Sequence, residues 1–233
     1  MNDTPRIAVQ IPIKNRSSER IPNKNFYELC GKPLCYWLLD SLVMELPPCV
    51  DVYIDSESDN VFSRLRPEHQ NRFHFHRRPD WYASNEANGN HLLQQFVSSH
   101  PDYDIYAQAY VTAVMLSGST VWSSIQRLVN DDVYDSLFLV HEECGWIWYH
   151  DKAINYDPDR PNGLPRSQDA TYLKETTGLY VVRRETALKT GCRVGSKPLF
   201  HCVSKVESLD VDTLEDILSA KQLLESRGPI RDK

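Results

Sequence analysis

Apolar positions along the chain follow two alternating rhythms. Residues 7–13 (IAVQIPI) form a short apolar run rich in β-branched side chains, which reads as a buried first strand. A polar stretch follows, and then 33–46 (PLCYWLLDSLVMEL) carries apolar residues at helical spacing, with Pro33 suited to a first helical position. Residues 50–56 (VDVYIDS) predict a second strand with a polar end, 60–65 the start of a short helix, and 72–76 a third strand. The pattern turns helical from Gly89, extended over 103–109, helical over 120–129 and extended again over 134–140. Strands alternating with helices predict an α/β fold with a mostly parallel sheet.

Residues 141–166 break this rhythm. The stretch GWIWYHDKAINYDPDRPNGLPR is rich in turns and displays two of the five tryptophans, Trp146 and Trp148, beside Tyr149. Large aromatics outside a core are enriched at protein interfaces. A surface excursion packed on its own domain accounts for them nearly as well.

Composition narrows the class. The chain has 233 residues, 41% hydrophobic and 25% charged, with a net charge of −6. That length suits one large domain, and the acidic balance argues against general nucleic-acid binding. The sequence has no run of apolar residues long enough to cross a membrane and no signal-peptide core at its start. Six scattered cysteines without a CxxC pair predict reduced thiols, core packing and a cytoplasmic setting rather than zinc. His74 and His76 alternate with Phe73 and Phe75, and read as exposed strand histidines.

Against this acidic background one stretch stands out. KNRSSERIPNKN (14–25) gathers four cationic side chains directly after the first strand. In a doubly wound sheet, ligands bind beyond the C-terminal strand ends. Loop amides with Lys and Arg at that place suit triphosphate oxygens.

These residues also carry a resemblance. The opening IPIKNRSSERIPNKNFYELCGKPLCYWLLDSL resembles that of the CMP-sugar synthetases, the cytidylyltransferases that activate sialic, nonulosonic and Kdo-type acids. VDVYIDSES, RRPDWYASNEANGN, RSQDATYLKETTGLYVV and LDVDTLEDILSAKQLL resemble later family segments in the right order, so the likeness spans nearly the whole chain. It implies a three-layer α/β/α Rossmann-like nucleotidyltransferase domain over 1–233, with 141–166 as a small inserted dimerisation element and a homodimer as the assembly. The implied reaction moves CMP from CTP to a small anionic acceptor and releases pyrophosphate.

The resemblance assigns roles by position. Lys14, Arg16, Ser18, Arg20 and Lys24 would align and neutralise the phosphates; Asn25, Arg78 and Asn88 would meet the nucleotide; Gln108, Thr112, Arg166 and Gln168 would meet the acceptor. Asp210 and Asp212 lie two apart in LDVDTLED, a spacing that points both carboxylates to one face of a strand. From the residues alone, capping of the following helix by Asp212 or Thr213 is the simpler role, with Glu215 and Asp216 as first-turn acids. The resemblance implies instead that Asp210 and Asp212 hold Mg²⁺. The chain departs from the sialate pattern at QAYVTAVM, which lacks Ser-Pro, and at Glu19 in a loop one residue longer. A sialic or nonulosonic acid, another keto-sugar acid or phosphonate, and a non-catalytic nucleotide-binding role therefore all stand open.

Overall fold

A computed structural model describes residues 4–15 and 20–226. Seven strands form one sheet: β1 (Ile7–Pro12), β2 (Val50–Ser56), β3 (His74–Arg77), β4 (Ile105–Ala109), β5 (Ser136–Cys144), β6 (Thr171–Arg183) and β7 (Pro198–Cys202). Their spatial order is β7-β5-β6-β4-β1-β2-β3. Around it lie α1 (Leu34–Glu45), α2 (Asp59–Ser63), α3 (Pro67–Arg72), α4 (Gly89–Ser99), α5 (Gly118–Val129), α6 (Arg184–Thr190) and α7 (Leu214–Ser226).

Alternation along the strands decides which helices cover which face. Ile7, Val9 and Ile11 point to one side and pack with Leu38 and Leu39 of α1 and with Val121 and Ile125 of α5. Ala8 points to the other side and packs with Phe96 of α4, Tyr106, Val182 and Ala187 of α6. The result is three layers, as the family resemblance implies. A separate apolar cluster joins Ile217, Ala220 and Leu224 of α7 to Leu29, Val114, Met115, Val211 and Ile21.

The sheet is mostly parallel. Strand β1 runs parallel to β2 and β4, β2 to β3, and β5 to β7. Strand β6 alone runs antiparallel, between β4 and β5. The connection explains this reversal. The excursion after β5 supplies no helical crossover, and a ribbon without one is antiparallel. Beyond Val140 the β5–β6 ribbon continues through Cys144 and Thr171 with no third strand beside it among the described residues. The excursion at its tip contains a small hairpin, Trp148–Tyr149 with Lys152–Ala153, and leaves Trp146, Trp148, Tyr149 and Ile154 exposed.

Several expectations need correction. Pro33 stands one residue before α1 as its N-cap, with ψ 140°. Helix α3 is too short and polar to have a visible period, and its segment carries only Pro67 at the first helical position as a signal. His76 is buried rather than exposed, because its ring meets Gln95 Oε1 at 2.8 Å and the His100 ring at 3.0 Å. Of the six cysteines, all free, only Cys35 is a core residue; Cys30, Cys49, Cys144 and Cys202 are exposed. Burial pushes the Cys35 thiol up to about 12, so it is an inert apolar filler. Among the described residues no helix is long and apolar enough to cross a membrane.

Candidate functional site

A cleft of about 320 Å³ opens where β1 and β4 end. Lys14, Arg20, Lys24, Asn25, Arg78 and Thr112 all line it, so the fold brings six of the sequence-predicted residues to one place. Arg16 and Ser18 lie outside the described residues.

The polar loop is held by a few specific contacts. Ile21, the apolar residue between Arg20 and Pro22, is buried in the α7 cluster and anchors the loop. Asn23 takes left-handed backbone angles (φ 53°, ψ 36°), which Asn tolerates better than most residues, and opens a one-turn helix over Lys24–Phe26. The Asn25 amide then donates to the Lys14 carbonyl at 3.1 Å, and the Asn15 N–H donates to Glu57 Oε1 at 2.8 Å.

Opposite the loop stands Asp212. Lys24 Nζ donates to Asp212 Oδ1 at 2.8 Å and to the Val211 carbonyl at 3.0 Å, while Arg20 Nη2 lies 3.2 Å from Asp212 Oδ2. Residues 209–212 are an irregular link, not the strand that the i, i+2 spacing implied. Even so, Val211 is fully buried between the two half-exposed aspartates, and its N–H donates to the Thr112 carbonyl at 3.0 Å. Asp210 Oδ2 accepts from the Thr177 hydroxyl at 2.5 Å; its Oδ1 is buried with no hydrogen-bond partner.

Neither aspartate caps α7. Thr213 does so together with Asp216, whose carboxylate accepts from the N–H groups of Asp212 (3.0 Å) and Thr213 (2.7 Å), while the Asp216 N–H returns to the Thr213 hydroxyl at 3.3 Å. Asp216, expected as a first-turn acid only, thus completes a capping box. Burial opposes ionisation there, but these hydrogen bonds hold the carboxyl below its ordinary value.

Other predicted residues sit elsewhere. Asn88 does not line the cleft; it is the N-cap of α4, accepting from Asn90 N–H (3.0 Å) and His91 N–H (3.1 Å). Arg166 forms a two-point ion pair with Asp169 (2.7 and 3.1 Å) in an exposed turn, and neither it nor the exposed Gln168 reaches the cleft. Gln108 is buried below the cleft. Its amide donates to Gln10 Oε1 (2.9 Å) and the Gly89 carbonyl (3.0 Å), and its oxygen accepts from the Tyr110 hydroxyl (2.6 Å) and Arg193 (3.2 Å). It therefore supports Tyr110, which lines the cleft.

Arg78 lies at the cleft with its side chain only 2% exposed. It donates to the Asp55 carbonyl (3.1 Å) and Glu57 Oε2 (3.3 Å), while its Nε stays without a partner. Burial pushes the Asp55 carboxyl up, against the opposing pull of Arg78, His76 and Gln10. Asn85, Ser84 and Tyr82 also line the cleft, from the RRPDWYASNEANGN segment. Arg193, whose guanidinium lies 3.7 Å from the centre of the Tyr180 ring, belongs to no motif and had no signal in the sequence.

Residues 13–226 match the family described as cytidylyltransferase. The chain belongs to that family. A cytidylyltransferase with this sequence is 22% identical over 213 residues to the N-acylneuraminate cytidylyltransferase of Streptococcus agalactiae serotype III, covering 89% of this chain. It spans about half (51%) of the length of that relative. The CMP:2-keto-3-deoxy-manno-octonic acid synthetase solved with CTP superimposes with a TM-score of 0.66 at 15% identity, covering 95% of this chain and 99% of the other. The bifunctional IspDF of Campylobacter jejuni gives 0.62 at 11% identity, over 90% of this chain and 53% of the other. These structural likenesses show the shared fold, and the cleft lies at the strand ends, where open α/β sheets bind ligands.

Proposed function

We propose that the protein transfers CMP from CTP to a small acidic sugar and releases pyrophosphate. The observation that carries this reading is the meeting of Lys14, Arg20 and Lys24 in one cleft at the strand ends of a cytidylyltransferase fold. An acceptor hydroxyl oxygen attacks the α-phosphorus, its proton leaves to solvent or a base, and the bond to the β-phosphate oxygen breaks. Lys14, Arg20 and Lys24 neutralise the charge that grows on pyrophosphate and hold it in line. Asn25 and the 82–87 wall enclose the nucleoside. A keto-sugar acid is the acceptor class that fits both kinds of relative, the N-acylneuraminate enzyme and the 2-keto-3-deoxy-manno-octonic acid enzyme.

The donor set fits a divalent cation of the Mg²⁺ type. Asp210 Oδ1 is buried and unpartnered, and Asp212, two residues on, pairs with Lys24 and Arg20, which line the cleft that neither aspartate lines. Among the described residues no cluster of three or more metal-ligating side chains occurs. Mg²⁺ needs none, since it is held by one or two carboxylates with substrate phosphates and water. When bound, it would add positive charge at the phosphates. Asp210 and Asp212 would hold it there.

Pyrophosphate release from CTP, screened against 2-keto-3-deoxy-manno-octonic acid, N-acetylneuraminate and simple phosphonates, tests the reaction. Turnover with a keto-sugar acid is the expected outcome, with Lys24→Ala lowering it at least about 100-fold. No turnover with any acid in the panel would sink the reading. We also read the exposed Trp146, Trp148 and Tyr149 as the contact surface of a homodimer. Sedimentation at micromolar concentration should give a dimer, and Trp148→Ser should shift it to monomer.

A further inference from the structure

We infer that Asp212 is a built-in stand-in for the nucleotide's phosphates: it occupies Lys24 and Arg20 until a triphosphate and a divalent cation arrive together and exchange with it. The inference rests on the reading that a triphosphate binds in the cleft.

Both oxygens of Asp212 are engaged, one by Lys24 at 2.8 Å and the other by Arg20 at 3.2 Å. Both cations line the cleft, so the groups that would grip phosphate already grip a carboxylate. The contact is not a by-product of helix capping, because Thr213 and Asp216 cap α7 without the Asp212 side chain. Arg20 is largely exposed, but the Lys24 half is not a loose surface pair. Ile21 and Val211 are buried in the same apolar cluster, so the two backbones that present the partners are clamped to each other. Lys24 is also tied to the Val211 carbonyl at 3.0 Å, and its side chain is only 14% exposed.

Each ligand alone meets a penalty here. A triphosphate without metal must draw Lys24 and Arg20 from Asp212, and it then faces the freed carboxylate across the cleft. A divalent cation without nucleotide must displace two positive side chains from the carboxylate it needs. Arriving together they exchange partners: phosphate takes the cations and the metal takes Asp212. Coupling of this kind is reciprocal, so each ligand tightens the other by the same factor.

Calorimetry of CTP binding to the full chain, in EDTA and in Mg²⁺, reads this directly. For wild type, Mg²⁺ should tighten CTP at least about fivefold, the lower end of ordinary coupling. Asp212→Asn should bind CTP in EDTA more tightly than wild type does, also by about fivefold, and should lose most of the Mg²⁺ effect. Asn leaves the Thr213–Asp216 cap intact, and a matched melting temperature shows that the variant is folded. If the substitution disturbs folding, Asp212→Ser is read in its place. Lys24→Met gives the converse measurement: Mn²⁺ binding without nucleotide, followed by paramagnetic relaxation, should strengthen. Folded Asp212 variants that bind CTP in EDTA no better than wild type, or Mn²⁺ binding unchanged in Lys24→Met, would overturn the exchange. Wild type that fails to bind CTP even with Mg²⁺ sinks the functional reading and the exchange with it.

Discussion

On the side of α1 and α5, strands β1, β2 and β4 present Val9, Ile11, Val52, Ile54 and Ala107, all fully buried and apolar. On the α4 side the same strands present Gln10, Asp55 and Gln108, buried just as deeply and polar. Depth does not distinguish the two faces; satisfaction does. The first face is completed by packing alone. The second is knitted from Gln10 to Asp55 and to Gln108, and onward to Tyr110 and Arg193, yet it leaves Asp55 Oδ1 and Arg78 Nε without partners. Buried unpaired groups cost stability, so the second face carries a penalty that the first does not.

Substitutions on the two faces should therefore fail in different ways. Leu39→Ala on α1 removes a fully buried side chain from the apolar cluster and should cost about 3 kcal/mol in denaturant unfolding. CTP affinity of the folded fraction should stay unchanged, and a loss of affinity would erase the distinction between the faces. Gln108→Leu keeps the volume but strands Gln10 Oε1, the Gly89 carbonyl and the Tyr110 O–H donor, and should cost about 2 kcal/mol. Its turnover should fall while the apolar variant's does not. The smallest effect belongs to neither face. Asp216→Ala removes half of the α7 capping box and should cost about 1 kcal/mol at neutral pH. The sign follows from the lowered Asp216 carboxyl: its contribution is full above the ordinary carboxylate range and is lost as pH falls through the lowered value. Wild type and variant should converge in acid.

Much of the first face was legible in the sequence, and less of the second. Strand β2 appears where VDVYIDS predicts it, because a buried strand is a local apolar run bounded by polar ends. The reversal of β6 was not legible, since extended propensity carries no direction and only the missing crossover fixes it. The cations of the cleft were legible as a charge run in an acidic chain. Their anchor was less so, because Ile21 is a single apolar residue and much of its cluster, Val211, Ile217, Ala220 and Leu224, lies some 190 or more positions downstream. Asn88 was assigned to the nucleotide although its capping box uses His91 in place of the usual Glu or Gln, a form that composition does not flag. The i, i+2 spacing of Asp210 and Asp212 suggested strand alternation, but the link is irregular and the buried Val211 between them sets their placement.

That anchor also bears on the order of folding. All seven strands precede Asp212 and α7 in the chain, so the sheet can close before α7 docks. At that moment Arg20 and Lys24 have neither Asp212 to face nor the Ile217 and Leu224 wall against which Ile21 packs. Such a chain would have a finished scaffold and a basic loop left without its anchor until α7 docks.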